Sequence, residues 1–105
     1  MELCLLYFDG CPNWHVARAN LRAALARLGW AQSFESVPVE TDDQARALHF
    51  TGSPTIVLDG KDIFDAGNAP AALACRLYRT GTGLAGSPTT EDIVTALQRE
   101  AGSLR

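Results

Sequence analysis

The first thirty residues constrain the fold most, because a short apolar run, a sharp turn and a long helical pattern follow one another directly. Residues 3–8 are almost entirely apolar and are followed by Asp9-Gly10, which is typical of a buried strand that ends in a turn. From about Pro12 to Leu28 apolar residues recur at helical spacing, and Gly29 is a suitable end of the helix. We therefore predict a strand that turns directly into a helix, with Cys11 at the turn.

The rest of the pattern predicts an α/β fold. Thr41 and Gln44 have the spacing of a helix capping box, and Asp59-Gly60 is a strong hairpin signal. Two strands joined by a helix should be parallel, and the hairpin adds an antiparallel pair. We expect a mixed sheet of about four strands with helices on both faces. The predicted further elements are strands at 34–39, 55–58 and 61–64, helices at 42–50 and from Thr89 or Thr90 to about 101, and a short helix or strand at 71–78.

Length and composition limit the classes of function. The chain has 105 residues, which suits one domain over residues 1–105, and 47% of them are hydrophobic. A net charge of -3 argues against a nucleic-acid partner, which normally requires a basic excess. No apolar run approaches the roughly 20 residues that span a membrane, and the first residues do not have the pattern of a signal peptide. We expect a cytoplasmic protein with no membrane partner.

Three cysteines carry the candidate chemistry: Cys4, Cys11 and Cys75. This odd, small number argues against a secreted disulfide framework. A cysteine at a helix N-terminus has a lowered thiol pKa, so Cys11 is the candidate nucleophile, and a protonated His15 one turn on would lower that pKa further. Cys75 is either a reactive partner or a small apolar side chain. Cys4 lies within the apolar run, and we expect it to be buried and inert.

Two motifs resemble those of the thioredoxin-like superfamily. One is the strand end followed by Cys11-Pro12-Asn13-Trp14 at a helix start, and the other is Gly52-Ser53-Pro54-Thr55 before an Asp-Gly hairpin. With the later Cys75-Arg76-Leu77-Tyr78, the chain is similar to small bacterial thioredoxin-like proteins that are sometimes labelled alkylmercury lyase-like. The resemblance implies a thioredoxin-like fold and a cis Ser53-Pro54 bond. It also implies a Ser53 backbone that turns toward Cys11 and pairs with an extended substrate strand.

The resemblance implies a thiol-redox protein that acts through Cys11 on a protein or small-molecule thiol or disulfide. Pro12, Trp14, Ser53 and Pro54 are then the predicted substrate-binding residues. Trp14 occupies the position of the second thiol of a Cys-x-x-Cys motif, so a standard dithiol reductase is not expected. Three possibilities follow for Cys11: monothiol exchange with an outside thiol, as in a monothiol disulfide oxidoreductase, a disulfide with Cys75, or simple binding.

Two other classes of function stay open at this point. The first is a soft-metal or organomercurial-binding protein that uses Cys11 and Cys75. The second is a non-catalytic thioredoxin-fold adaptor, because the fold supports binding as readily as catalysis. Cys11 and His15 alone are too few ligands for a structural zinc site, so no metal and no cofactor is expected. The sequence does not indicate an oligomeric state.

Overall fold

The computed structural model of the protein describes residues 2–64, 66 and 69–103. The predicted domain of residues 1–105 therefore includes six residues outside the described part: Met1, Asp65, Gly67, Asn68, Leu104 and Arg105. The elements in chain order are β1 (Leu3–Tyr7), α1 (Trp14–Leu28), β2 (Glu35–Pro38), α2 (Asp42–Ala47), β3 (Thr55–Leu58), β4 (Lys61–Asp62), β5 (Tyr78–Thr80), β6 (Gly83–Ala85) and α3 (Thr90–Ser103).

The main sheet has four strands in the order β2-β1-β3-β4. Strands β1 and β2, which α1 connects, are parallel, whereas β3 pairs antiparallel with both β1 and β4. This confirms the predicted mixed sheet of four strands in an α/β fold. Strand β4 has only two residues, so it is shorter than the predicted strand at 61–64.

Alternation along β1 divides the core between the two faces of the sheet. Leu3 and Leu5 point to one face, where they pack in a cluster with buried residues of α1 and α3. Leu6 points to the other face and packs with Phe50 and with Ala45 of α2. Helices therefore cover both faces, as predicted. None of the helices in the described part of the chain is long and apolar enough to cross a membrane.

The helix ends are set by local signals. Helix α1 begins at Trp14, two residues later than predicted, with Asn13 as its N-cap residue, and Gly29 ends it in a left-handed conformation (φ 68°). The predicted cap of α2 is present, because Thr41 Oγ1 accepts a hydrogen bond from the Gln44 N–H at 3.0 Å. Helix α2 ends at Ala47, three residues before its predicted end.

The stretch at 71–78, predicted as a short helix or strand, is irregular as far as Tyr78, where β5 begins. Residues 69–77, here called the Cys75 segment, contain a single isolated bridge, in which Cys75 pairs in parallel with Ser53. The chain then forms a separate β5–β6 hairpin that the sequence analysis did not predict. Its register pairs Thr80 with Gly83 across the two-residue loop Gly81-Thr82.

Candidate functional site

Cys11 and Cys75 form a disulfide that joins the turn before α1 to the Cys75 segment. Their Cα atoms are 5.7 Å apart, within the usual range for a disulfide, although the two residues are 64 positions apart in the chain. Cys11 is fully buried at 0% exposure, whereas Cys75 is exposed. The bond thus presents one of its two half-cystines to solvent.

The turn after β1 places Cys11. Its N–H donates a hydrogen bond to the Phe8 carbonyl at 2.9 Å, which closes the turn directly after the strand. The next helix begins three residues further on, at Trp14, so Cys11 precedes the helix rather than opening it. The first N–H groups of a helix have no partners within it, and those of α1 lie just beyond Cys11 in the chain.

Ser53 connects the two cysteines. Its N–H donates to the Ala74 carbonyl at 2.7 Å, and its carbonyl accepts from the Arg76 N–H at 2.9 Å. That same carbonyl oxygen lies 3.8 Å from Cys11 Sγ, and the Ser53-Pro54 bond is cis. The backbone that the resemblance implied for a substrate strand therefore pairs with the protein's own Cys75 segment.

The side chain of Arg76 fixes the Cys75 segment against the sheet. Its exposure is only 9%, and its Nη1 donates to Asp62 Oδ2 at 2.7 Å and to Thr55 Oγ1 at 3.2 Å. Its Nη2 donates to the Phe64 carbonyl at 3.2 Å. The guanidinium also lies 4.7 Å from the centre of the Tyr78 ring. A buried charge is tolerated where it is paired and hydrogen-bonded in this way.

Tyr78 provides a second anchor next to Arg76. Its hydroxyl donates a hydrogen bond to the Pro54 carbonyl, and its ring packs edge-on against Phe64 at 5.2 Å. Burial raises the pKa of the Tyr78 hydroxyl well above its usual range, and the nearby Arg76 charge opposes that rise only in part. The hydroxyl therefore stays protonated and remains a hydrogen-bond donor to Pro54, which directly precedes β3.

Trp14 lies between two other rings. It stacks on Tyr7 at 4.0 Å and on His15 at 3.9 Å. The predicted role of His15 was to lower the pKa of Cys11, but within the described residues no hydrogen bond joins its ring to that cysteine. Pro12, another predicted substrate-binding residue, is exposed beside the buried Cys11. Trp14 and Pro12 thus lie next to the disulfide in the chain without supplying a second thiol.

Two glycines allow close approaches around the site. Gly52 has a φ of 137°, and a Cβ built on it would lie 2.8 Å from the Cβ of Arg76. A Cβ on Gly86, just after β6, would collide with the side chain of Asn13 in the turn that carries Cys11. Larger residues at these positions would displace the Cys75 segment or the Cys11 turn.

The exposed side of the disulfide opens on a surface groove of 560 Å³. Cys75 and Leu77 line it together with Thr51, Phe64 and Ala69. Leu77 is 67% exposed, so the surface next to the accessible half-cystine is partly apolar. Cys75 is therefore the half-cystine that borders this groove.

The third cysteine, Cys4, takes no part in the disulfide. Cys4 is the free cysteine and is partly buried, whereas the prediction was full burial. Burial raises the pKa of its thiol, and the carboxylates of Glu2 and Glu35 raise it further, so it stays a protonated thiol. No cluster of three or more metal-ligating side chains occurs among residues 2–64, 66 and 69–103.

Sequence reasoning missed the residues that hold Cys75 in place. From the sequence, Arg76 and Tyr78 belong only to a motif of the resemblance, and no role is predicted for Asp62. The available signal is that Arg76 and Tyr78 follow Cys75 closely in the chain, but their hydrogen-bond partners are 12 to 24 positions away. Comparison of the chain with protein-family models, curated proteins and solved structures finds no match, so the Cys11–Cys75 site itself is the basis for a function.

Proposed function

We propose that the protein is a thioredoxin-like thiol–disulfide exchange protein that cycles between the Cys11–Cys75 disulfide and the corresponding dithiol. One observation carries this proposal: a fully buried Cys11 is bonded to an exposed Cys75 next to the backbone of Ser53. A purely structural bond gains nothing from an accessible half, whereas exchange requires one sulfur that a thiolate can reach.

The thioredoxin-like fold is part of the proposal. Its support is the β1–α1–β2 unit with parallel strands, the antiparallel β3 and β4, and the cis Ser53-Pro54 bond next to the cysteine that follows β1. The arrangement of Ser53 beside Cys11 is the one that the resemblance implied.

Exchange begins at Cys75, since Cys11 is inaccessible. A thiolate of the reducing substrate attacks Cys75 Sγ, the bond to Cys11 breaks, and Cys11 leaves as a thiolate that takes up a proton. A second thiol of the substrate then displaces Cys75 and leaves the substrate as a disulfide. The net reaction transfers two electrons and two protons from the substrate dithiol to the protein. Run in reverse, the same steps reduce a substrate disulfide.

Cys75 supplies the second thiol that is missing at Trp14. A Cys-x-x-Cys motif has its second thiol one turn along the helix, whereas this chain draws it from a segment 64 positions away. The proposed mechanism therefore differs from monothiol exchange at Cys11, because the mixed disulfide forms on Cys75 and Cys11 resolves it.

Exchange kinetics with single-cysteine variants test the proposal. We expect the parent to accelerate reduction of a small aromatic disulfide by dithiothreitol, and Cys75→Ser and Cys11→Ser to lose most of that acceleration. Cys4→Ser is the matched control and should retain it. Equal rates for the parent and both site variants would contradict the exchange function.

A second candidate is binding of a soft metal ion by the reduced protein. The supporting observation is that Cys11 and Cys75 lie close enough to share one ion once their bond is reduced, with Cα atoms 5.7 Å apart. Titration of the reduced protein with Hg²⁺ distinguishes this function: it requires one tight equivalent in the parent and in Cys4→Ser. If Cys11→Ser and Cys75→Ser both still bind one tight equivalent of Hg²⁺, the metal-binding function is excluded.

A further inference from the structure

Backbone bonds on both sides of Cys75 do not depend on the disulfide. Ala74 accepts from the Ser53 N–H at 2.7 Å, and Arg76 donates to the Ser53 carbonyl at 2.9 Å. Ser53 is fully buried, so loss of either bond would leave a buried polar group without a partner. These two hydrogen bonds should therefore hold the Cys75 segment in place after the disulfide is reduced.

The side chain of Arg76 adds to this attachment. Its hydrogen bonds reach three separate positions of the sheet region: Thr55 in β3, Asp62 in β4 and the Phe64 carbonyl. If the Cys75 segment left the sheet, the paired carboxylate of Asp62 would lose its 2.7 Å partner. Thr55 Oγ1, in a residue that is 1% exposed, would lose its contact with the guanidinium as well.

We propose that Arg76 is a positioning residue, which holds the Cys75 thiol against Cys11 in the reduced protein and so favours closure of the disulfide. The inference rests on the proposed redox cycling of this pair. A thiol that is already held near its partner loses little conformational freedom when the bond forms, and the effective concentration of one thiol at the other is therefore high.

This arrangement selects the class of reductant. A monothiol that attacks Cys75 forms a mixed disulfide and releases Cys11, but Cys11 then attacks Cys75 Sγ and expels the monothiol as a thiolate. The original disulfide is restored, and no electrons have been transferred. A dithiol completes the reaction because its second thiol attacks the mixed disulfide intramolecularly, which releases Cys75 and the oxidised dithiol. The reductant of this protein is therefore a dithiol.

Redox equilibrium with mixtures of reduced and oxidised dithiothreitol, a dithiol, tests the role of Arg76. The reduced fraction is measured from the mass added by a thiol-alkylating reagent, in the parent, Arg76→Met and the matched control Arg79→Met, which changes an exposed neighbour. We expect the equilibrium constant for disulfide formation to fall at least tenfold in Arg76→Met, equivalent to about 30 mV, and less than twofold in Arg79→Met. If Arg76 merely stabilised the fold, its substitution would lower the stability of both redox states equally and leave this equilibrium constant unchanged.

Two further variants allow the test to be made even if Arg76→Met does not fold. Asp62→Asn removes only the paired carboxylate and should lower the equilibrium constant about threefold, and Arg76→Lys should lie between the parent and Arg76→Met. Equal constants in the parent, Asp62→Asn and Arg76→Lys would overturn the proposal, whether or not Arg76→Met folds. The equilibrium is measured without a substrate, so a failure of exchange catalysis would refute the proposed function and leave this result intact.

The reductant class is tested on the same proteins. At equal total thiol concentration, dithiothreitol should reduce the parent fully, whereas 2-mercaptoethanol should leave most of it oxidised. In Arg76→Met the difference between the two reagents should become smaller. When Cys75 is held less firmly, attack of Cys11 on the mixed disulfide expels the monothiol less efficiently. An unchanged difference in Arg76→Met and Asp62→Asn would contradict the positioning role.

Discussion

Leu21 of α1 and Arg76 of the Cys75 segment are both buried, but different interactions hold them. Leu21 lies in an apolar cluster that α1, α3 and the sheet build together. Arg76 is held by hydrogen bonds to the sheet, next to a covalent bond between Cys75 and Cys11. Apolar burial does not depend on a covalent bond, whereas the disulfide exists in only one of the two redox states. The core and the Cys75 segment should therefore respond separately to mutation and to reductants.

The largest expected effect is that of the disulfide. Cys75→Ser should lower the free energy of unfolding by about 4 kcal/mol, because the bond closes a loop across 64 positions and restricts the unfolded chain. Urea unfolding of the parent with and without a dithiol reductant should give the same difference. Cys4→Ser serves as the control, and a reductant effect as large in Cys75→Ser as in the parent would contradict the assignment to this bond.

A core substitution should lower the free energy of unfolding slightly less, and its effect should not depend on the redox state. Leu21→Ala removes a fully buried side chain and should lower the free energy of unfolding by about 3 kcal/mol. The loss should be equal in the oxidised and the reduced protein, because the cluster that buries Leu21 contains no residue of the Cys75 segment. Unequal losses would mean that the two regions are coupled, and the comparison would have to be abandoned.

Gly52→Ala should have an intermediate effect, located at the contact between the two regions. The new Cβ would lie 2.8 Å from Arg76 Cβ, at a φ of 137° that L-residues rarely adopt, so we expect a loss of about 2 kcal/mol. Gly81→Ala is the matched control, since its Cβ would meet nothing within 4 Å. Thermal unfolding of both variants measures the difference, and similar stabilities would argue against a close approach at Gly52.

The smallest effect concerns pH. In the unfolded chain Tyr78 releases its proton near pH 10, but burial keeps it protonated to higher pH in the folded protein. Above pH 10 the folded state therefore binds more protons, and the free energy of unfolding should fall by up to about 1.4 kcal/mol per pH unit. Urea unfolding between pH 9 and 11 measures this slope. Tyr78→Phe should reduce the slope, and an unchanged slope would exclude Tyr78 as its source.

The sequence predicts best what short-range signals determine. The cap at Thr41, the Asp59-Gly60 turn and the end of α1 at Gly29 each depend on a few neighbouring residues, and the structure confirms all three. The start of α1 is misplaced because Pro12 suits a first helical turn, although Asn13 is itself a good N-cap residue type.

The site is less predictable because its contacts join distant parts of the chain. Nothing in the order of residues places Cys75 opposite Ser53, and a buried Arg76 runs against the usual exposure of arginine. The β5–β6 hairpin did have a local signal, the Gly81-Thr82 pair between two short runs, but strands of three residues are hard to distinguish from loops.

The disulfide also determines how far the protein can be stretched when force is applied to its two ends. Tension on the oxidised chain bypasses everything between Cys11 and Cys75, which includes α1, β2, α2, β3 and β4. The backbone of those elements could not be extended until the bond is cut. At about 3.5 Å for each extended residue, reduction would then release roughly 200 Å of hidden length from the loop of 64 positions. The redox state of one bond would thus set the mechanical extensibility of most of the sheet.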